Sequence, residues 1–318
     1  MKTFQLSSGS QVPVIGLGTW QMTDEEAANA VSLAIQMGYR HIDGAWIYLN
    51  EKGVGQGIAD GINAAGINRD DLWVTSKLWN NCHQPEHVQP ALEQTLNDLG
   101  LEYLDLYLIH WPIAHRHECV RPQNGSEFLS LEEVPLAETW TAMEACHAKG
   151  LCKNIGVSNF SVKKLKSLME GCSTRPVMNQ VESHPYFPQL ELLEFCQQQN
   201  IQMTAYSPLG SAGRPDNLRQ QDEPSLLNDA VIHEVAEKHG VANGQIVLAW
   251  AINRGTIPIP KSSNPDHMKQ NLDAASIQLT AEDIAQIETI NKNFRFLDGS
   301  FWEAPGGPYT VANLWDEI

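Results

Sequence analysis

Apolar runs of strand length alternate with longer amphipathic segments along this chain. Leu72-Trp-Val-Thr-Ser-Lys77, Leu104-Asp-Leu-Tyr-Leu-Ile-His110, Asn154-Ile-Gly-Val-Ser158, Val177-Met-Asn-Gln-Val181, Ile201-Gln-Met-Thr-Ala205 and Thr256-Ile-Pro-Ile259 read as strands. Helical spacing runs over residues 23–37, 88–99, 136–148, 162–169, 190–199 and 230–238. The first of these opens at Thr23 with Glu26 three residues on, the pattern of a capping box. Behind that cap Ala27, Ala30, Val31, Ala34 and Ile35 fall on one helical face. Strands at residues 38–42 and near residues 12–16 bring the count to eight β-then-α units. Such alternation requires a parallel sheet, because each return to the same edge needs a crossover helix. Eight units without a break in composition predict an α/β fold, a closed (β/α)8 TIM barrel, as a single domain over residues 1–318.

Some segments fall outside the pattern. Residues 1–12 predict an N-terminal β-hairpin turning at Ser8-Gly9-Ser10. Residues 112–134 and 210–224 are long, polar and irregular, and residues 294–318 carry Phe294, Phe296, Phe301, Trp302, Tyr309 and Trp315 without helical period. Long loops in a compact chain are commonly lids or binding loops, so the two loops and the C-terminal tail are expected at the active-site mouth.

Composition narrows the function classes. With 42% hydrophobic and 19% charged residues the chain is of globular type. The first residues lack the apolar core of a signal peptide, and no apolar run approaches a membrane span, so a cytoplasmic location is expected with no membrane partner. A net charge of −17 repels polyanions and argues against nucleic acid. Cys82, Cys119, Cys146, Cys152, Cys172 and Cys196 include no Cys-x-x-Cys pair and read as thiols in a reducing compartment. Monomer and homodimer both suit this architecture.

Two glycine clusters invite a dinucleotide-fingerprint reading. Gly16-Leu-Gly18-Thr-Trp-Gln21 has Gln21 where a third glycine belongs and bulky Trp20 where a pyrophosphate must approach. Gly53-Val-Gly55-Gln-Gly57 lies inside a helical segment instead of at a strand-to-helix turn. Neither meets the requirement. Four polar residues, by contrast, sit at or just past successive strand ends: Asp43, Tyr48, Lys77 and His110. Barrels place their chemistry at the carboxyl ends of strands, so these four can converge on one mouth.

At these residues the chain resembles the aldo-keto reductase family, of the aldose reductase and xylose reductase type. Gly38-Tyr-Arg-His-Ile-Asp-Gly-Ala-Trp-Ile-Tyr-Leu-Asn-Glu51, Leu101-Glu-Tyr-Leu-Asp-Leu-Tyr-Leu-Ile-His-Trp-Pro112 and Ile257-Pro-Ile-Pro-Lys-Ser262 are similar to its three signatures. Gly156-Val-Ser-Asn-Phe160 and Tyr206-Ser-Pro-Leu-Gly210 add two further segments, in order, between about Phe4 and Ile290. The resemblance implies reduction of a small-molecule carbonyl substrate (aldehyde, ketone or sugar aldose) by hydride from NAD(P)H. It casts Tyr48 as proton donor, Lys77 as the cation that lowers the phenol's pKa, Asp43 as partner to Lys77, and His110 as the group that orients the carbonyl. General chemistry assigns the same roles. By similarity, Ser158, Asn159 and Gln180 hold the carboxamide and Tyr206 stacks on the nicotinamide. Thr19 and Trp20 border the ring, Asp43 lies beside it, and Ser207, Leu209 and Ser211 follow the pyrophosphate. Lys261, Ser262, His267 and Asn271 fall at the adenosine end. Trp20, Tyr48, Trp79, His110, Trp111 and Trp302 form the substrate pocket.

Two positions depart from the family pattern. His267 stands six residues after Lys261, where the family commonly has an arginine gripping the 2′-phosphate of NADP, and Gln270 replaces a frequent glutamate. Lys261 and Lys269 still offer positive charge, so NADPH is favoured and NADH stays open. Trp46 and Ile47 replace a frequent histidine and valine beside Tyr48, making the pocket wall bulkier. The alternatives are a catalytically silent barrel relative that binds cofactor or serves as a structural protein, and a metal-dependent hydrolase. No metal site is expected, since the one His-x-His, His115-Arg-His117, falls in a polar loop expected to be solvated.

Overall fold

The structure is a computed structural model, and it describes residues 1–211 and 213–316. Residues 317 and 318, the last of the aromatic tail, lie outside the described residues, as does position 212 in the second long loop. Strands β1 (Thr3–Gln5) and β2 (Gln11–Pro13) pair antiparallel with Phe4 opposite Val12, forming the expected hairpin. Gly9 takes φ +90° at its turn, a conformation open to glycine. Leu6 and Val12 pack with Trp73, Leu106 and Leu108 under the barrel. The first barrel strand is β3 (Leu17–Gly18), beyond the expected span at residues 12–16: Val12 and Pro13 are already used by the hairpin.

The sheet continues through β4 (His41–Asp43), β5 (Trp73–Leu78) and β6 (Leu106–Ile109). A small hairpin, β7 (Ala114–His115) with β8 (Phe128–Leu129), interrupts the sequence but not the sheet. Then follow β9 (Ile155–Ser158), β10 (Met178–Glu182), β11 (Gln202–Tyr206) and β12 (Ile257–Pro258). All eight barrel strands run parallel in sequence order. A parallel bridge between Gly18 and Lys261, with Gly16 N–H donating to Pro258 O and Gly18 N–H to Pro260 O (3.1 Å each), closes the ring. The chain is therefore a (β/α)8 barrel.

Outer helices follow the strands: α1 (Asp24–Met37), α2 (Glu51–Ala65), α3 (Pro85–Leu99), α4 (Leu136–Ala148), α5 (Val162–Met169), α6 (Leu190–Gln198), α7 (Ala230–His239), α8 (Asn243–Asn253), α9 (Pro265–Asp273) and α10 (Ala281–Glu288). Helix α1 is capped as its sequence demands: Thr23 Oγ1 accepts from Glu26 N–H while Thr23 N–H donates to Glu26 Oε2. Its buried face is Ala27, Ala30, Val31, Ala34 and Ile35. The tail forms a short helix, α11 (Val311–Trp315), that its aperiodic aromatics do not reveal. No helix among the described residues is long and apolar enough to cross a membrane.

The glycines of α2 have a packing role. A Cβ on Gly57 would lie 2.6 Å from Ala28 O, and one on Gly55 would overlap the Leu99 carbonyl at the end of α3. Their absence lets α1 and α3 approach the α2 backbone directly. Alanine ordinarily gains about 1 kcal/mol over glycine in a helix interior. Gly55→Ala is nevertheless expected to lower the unfolding free energy by about 1–3 kcal/mol through overpacking. Chemical denaturation checks this, and an unchanged or raised midpoint would show that the helices can separate freely.

Candidate active site

Each expected residue is placed by the strand that carries it. Asp43 ends β4, Lys77 is next to last in β5, and His110 follows β6 directly. Tyr48 ends a single 3-10 turn at residues 46–48, which folds back over the mouth as Tyr48 N–H donates to Ala45 O. Lys77 is wholly buried. Its ammonium donates to Asp43 Oδ1 at 2.5 Å and to Gly44 O at 2.7 Å, and sits 5.2 Å from the centre of the Tyr48 ring. Asp43 Oδ2 accepts from Gln180 Nε2 at 2.7 Å, across the barrel. Thr19 Oγ1 donates to the Asp43 carbonyl at 3.0 Å. Asp43, Lys77 and Tyr48 thus meet in one network, and the His110 ring stands edge-on to Tyr48 with ring centres 6.0 Å apart.

The electrostatics differ from expectation in one respect. Burial raises the Tyr48 phenol above its usual value, and this outweighs the Lys77 ammonium, which pulls it down; Asp43 adds to the rise. The expected net lowering is therefore corrected. The sequence places a cation near the phenol but carries no measure of desolvation. For Lys77, burial opposes the charge, yet the Asp43 carboxylate and Tyr48 outweigh it and hold the ammonium above its ordinary range. His110 is held well below its normal value by burial, then by Lys77 and His83, and stands as a neutral imidazole. The arrangement can deliver a proton from a loaded phenol and stabilise the phenolate left behind.

These residues open into a cavity of about 610 Å³. Asp43, Tyr48, His110, Trp20, Trp79, Trp111 and Trp302 line it on one side, with Ile47 beside the phenol. Thr19, Ser158, Asn159, Gln180, Tyr206, Ser207, Leu209, Ser211 and Lys261 line the rest. Lys77 lies behind this wall. Ser262, His267 and Asn271 do not line the cavity: they sit before or on α9, His267 exposed at its first turn and Ser262 and Asn271 buried. Trp46 packs among the tail aromatics, outside the lining.

The donor set fits a planar amide-bearing ring followed by an anion. Ser158 Oγ donates to Gln180 O at 2.8 Å, Asn159 Nδ2 to His110 O at 2.9 Å, and Tyr206 Oη to Asn159 Oδ1 at 2.8 Å, so buried amides and a phenol ring are held at one edge. His110 Nδ1 and Trp302 Nε1 are buried without a hydrogen-bond partner among the described residues. Lys269, considered as a second cation, is engaged by Asp273 one helical turn on. Lys261 is left as the exposed ammonium at the far end.

Several features escape a sequence reading. Arg121 and Arg214 also line the cavity. Both lie in the long loops expected at the mouth. Arg214 is buried in an ion pair with Glu223. His115 is buried, not solvated as expected, against Trp79, Phe128 and Trp302. Glu182 is buried too and accepts Phe296 N–H at 2.6 Å and Leu297 N–H at 2.8 Å, tying the tail to β10. No group of three or more His, Cys, Asp or Glu side chains that could hold a metal occurs among the described residues.

Comparison with known proteins agrees with this geometry. A family model described as the aldo/keto reductase family matches residues 14–292. An aldo/keto reductase of Synechocystis is 49% identical over the whole chain and 97% of its own length. The rat aldo-keto reductase family 1 member A1 is 43% identical over 92% of the chain and 90% of its own length. Among solved structures, the aldose reductase of Schistosoma japonicum superposes with a TM-score of 0.87 at 34% identity, covering 95% of this chain and 96% of that one.

The buried imidazoles make stability depend on pH. Burial pushes His41 down to about 4, His83 to about 3 and His115 to about 4, with His110 also well below its usual value. Each binds its proton more weakly folded than unfolded, so the stability it contributes is lost as pH falls from about 6.5 towards 4. Glu51 acts oppositely: burial raises it to about 7, so its contribution is present in acid and lost as pH rises through that value. With three or four imidazoles against one carboxyl, stability is expected to fall by about 3 kcal/mol per pH unit between pH 6 and 5. Denaturant titrations across that range measure it; a flat profile would mean that the imidazoles charge without unfolding.

Proposed function

The chain belongs to the aldo/keto reductase family, and on that premise we propose that it reduces aldehydes or ketones to alcohols with NAD(P)H, Tyr48 donating the proton. The observation that carries this reading is the phenol standing over the buried Lys77–Asp43 pair at a cavity wall of indoles. Ser158, Asn159 and Gln180 would hold a nicotinamide, which when bound would supply the hydride that the carbonyl carbon takes up. Tyr48 holds its proton at neutral pH because burial raises it, and gives that proton to the carbonyl oxygen. Lys77 acts on what remains: its ammonium favours the phenolate as it forms. Asp43 keeps the ammonium in place, and neutral His110 directs the substrate oxygen towards the phenol without competing as a second cation.

The other assignments follow from position. Ser158, Asn159 and Gln180 would hold the carboxamide, and Tyr206 would face one side of the ring with Thr19 and Trp20 at its border. Ser207, Leu209 and Ser211 would follow the pyrophosphate, and Lys261, Ser262, His267 and Asn271 the adenosine. Trp20, Trp79, Trp111 and Trp302 favour apolar or aromatic carbonyl compounds over polyhydroxylated ones, since indole faces leave few partners for hydroxyl groups. The whole chain would act as one domain. The six thiols, free in the structure, suit the cytoplasm.

Tyr48→Phe is expected to reduce kcat by about 100-fold or more while cofactor affinity stays near that of the wild type, because only the proton donor is removed. Cofactor oxidation and fluorescence titration measure the two quantities; surviving turnover would assign the acid elsewhere. Lys261 alone grips a 2′-phosphate as a point charge, without a guanidinium fork. The kcat/KM preference for NADPH over NADH is therefore expected to be modest, about tenfold, and His267→Arg to raise it by about another tenfold, the worth of one charge-assisted contact. Paired kinetics with both cofactors test this, and a preference for NADH in the wild type would reverse the ranking.

A further inference from the structure

The tail wall of the cavity is held from outside the barrel. Helix α5 lies on the outer surface, and its Lys164 points into the end of the chain. Lys164 Nζ donates to Asn313 O at 2.8 Å and Leu314 O at 2.9 Å, the carbonyls at the end of α11, and to Asp316 Oδ2 at 2.6 Å. Ser161 Oγ, at the cap of α5, donates to the same Asp316 oxygen at 2.5 Å. The ion pair is 10% and 16% exposed, unlike solvent-facing pairs such as His233–Glu237.

Contacts run from this point to the cavity without a gap. Trp315, one residue before Asp316, donates from Nε1 to Asp298 O at 2.6 Å and packs on Trp111 with ring centres 5.9 Å apart. Gly299 takes φ +88° against the Leu314 side chain and the Trp315 indole, which leave no room for a Cβ. The next turn presents Phe301 and Trp302 to the cavity, where both also contact Trp111.

We infer that Lys164 is a positioning residue for substrate selection: by latching the end of α11 it holds Trp315 against residues 298–299, and so fixes Phe301 and Trp302 over the substrate. It touches neither substrate nor cofactor. Burial lowers its ammonium below the usual range, with Asp316 opposing. The inference rests on the carbonyl-reduction reading for its kinetic test.

The full-length protein and its Lys164→Met and Lys164→Arg variants are compared on 2-naphthaldehyde and propanal. In Lys164→Met the ratio of kcat/KM for naphthaldehyde over propanal is expected to fall about three- to tenfold, through KM, the span for a remote residue biasing a packed wall. The kcat for propanal, which needs little of that wall, stays unchanged, and Lys164→Arg restores most of the ratio. Limited proteolysis reads the latch without activity: cleavage within residues 295–316 should quicken in Lys164→Met. Should Lys164→Met fail to fold, Asp316→Asn carries both measurements. An unchanged ratio and unchanged tail cleavage in a folded variant overturn the inference, as does an equal loss on both aldehydes. Absence of turnover in the wild type overturns the carbonyl-reduction reading instead, while the cleavage rates still decide the latch.

Discussion

The site depends on one buried ion pair. Taking an ammonium out of water costs several kcal/mol, and Lys77 is buried completely. The barrel offsets that cost by supplying partners from its own strand ends: the Asp43 carboxylate and the Gly44 carbonyl from the neighbouring strand, and the Tyr48 phenol from the turn that follows. Gln180, from the opposite side of the ring, then occupies the second Asp43 oxygen. The pair is satisfied only when β4, β5 and β10 are all in register, so a stability requirement and the placement of the reactive groups coincide. Removing one partner would leave a buried charge unpaired, at a cost of about 3–5 kcal/mol.

Burial first, and that single cation second, set the neighbours' protonation. His110, buried in the cavity wall with Lys77 nearby, stays neutral; Tyr48 keeps its proton because desolvation outweighs the ammonium's pull. In the proposed reduction the two effects would serve different moments of a proton transfer. Desolvation would load the donor, and the ammonium would matter most once the phenol has begun to lose its proton. A lysine that lowered the resting phenol outright would empty the donor before the substrate arrived.

What could be read in the sequence was whatever is local or periodic. The capping box at Thr23 and Glu26, the apolar stripe of α1, and strand ends bearing Asp43, Lys77 and His110 need no distant information, and strand boundaries fall within a few residues of expectation. The sequence offers Lys269 as a free cation, although its i,i+4 spacing to Asp273 on a helix was legible. The burial of His115 was not: its flanking Arg116 and Glu118 are exposed, and the aromatic groups that cover it come from Trp79 and Trp302. Helix α11 was hidden because it is a single short turn: Val311, Leu314 and Trp315 pack into the tail cluster, and a lysine about half the chain away holds its end. The sign of the Tyr48 shift was illegible because spacing reports which charges are near and nothing of how much water remains.

The two parts of the cavity are consequently built on different physics. The reacting groups stand on strands or tight strand-end turns, where a displacement breaks ladder hydrogen bonds and unpairs a buried ion. The indole wall stands on a tail anchored at a few polar points: Glu182 at its start, Tyr309 between Leu129 O and Ala114 N–H in the middle, and Lys164 at its end. Changes in those anchors reshape the space offered to substrate while leaving the Lys77 network untouched, because Lys77 and Asp43 bond to each other and to Gly44, Gln180 and Thr19 on the barrel itself. On the proposed function, a barrel of this construction would alter which carbonyl compounds it accepts without altering how it delivers a proton. The residues that govern that choice are then found as readily on its outer helices as in its mouth.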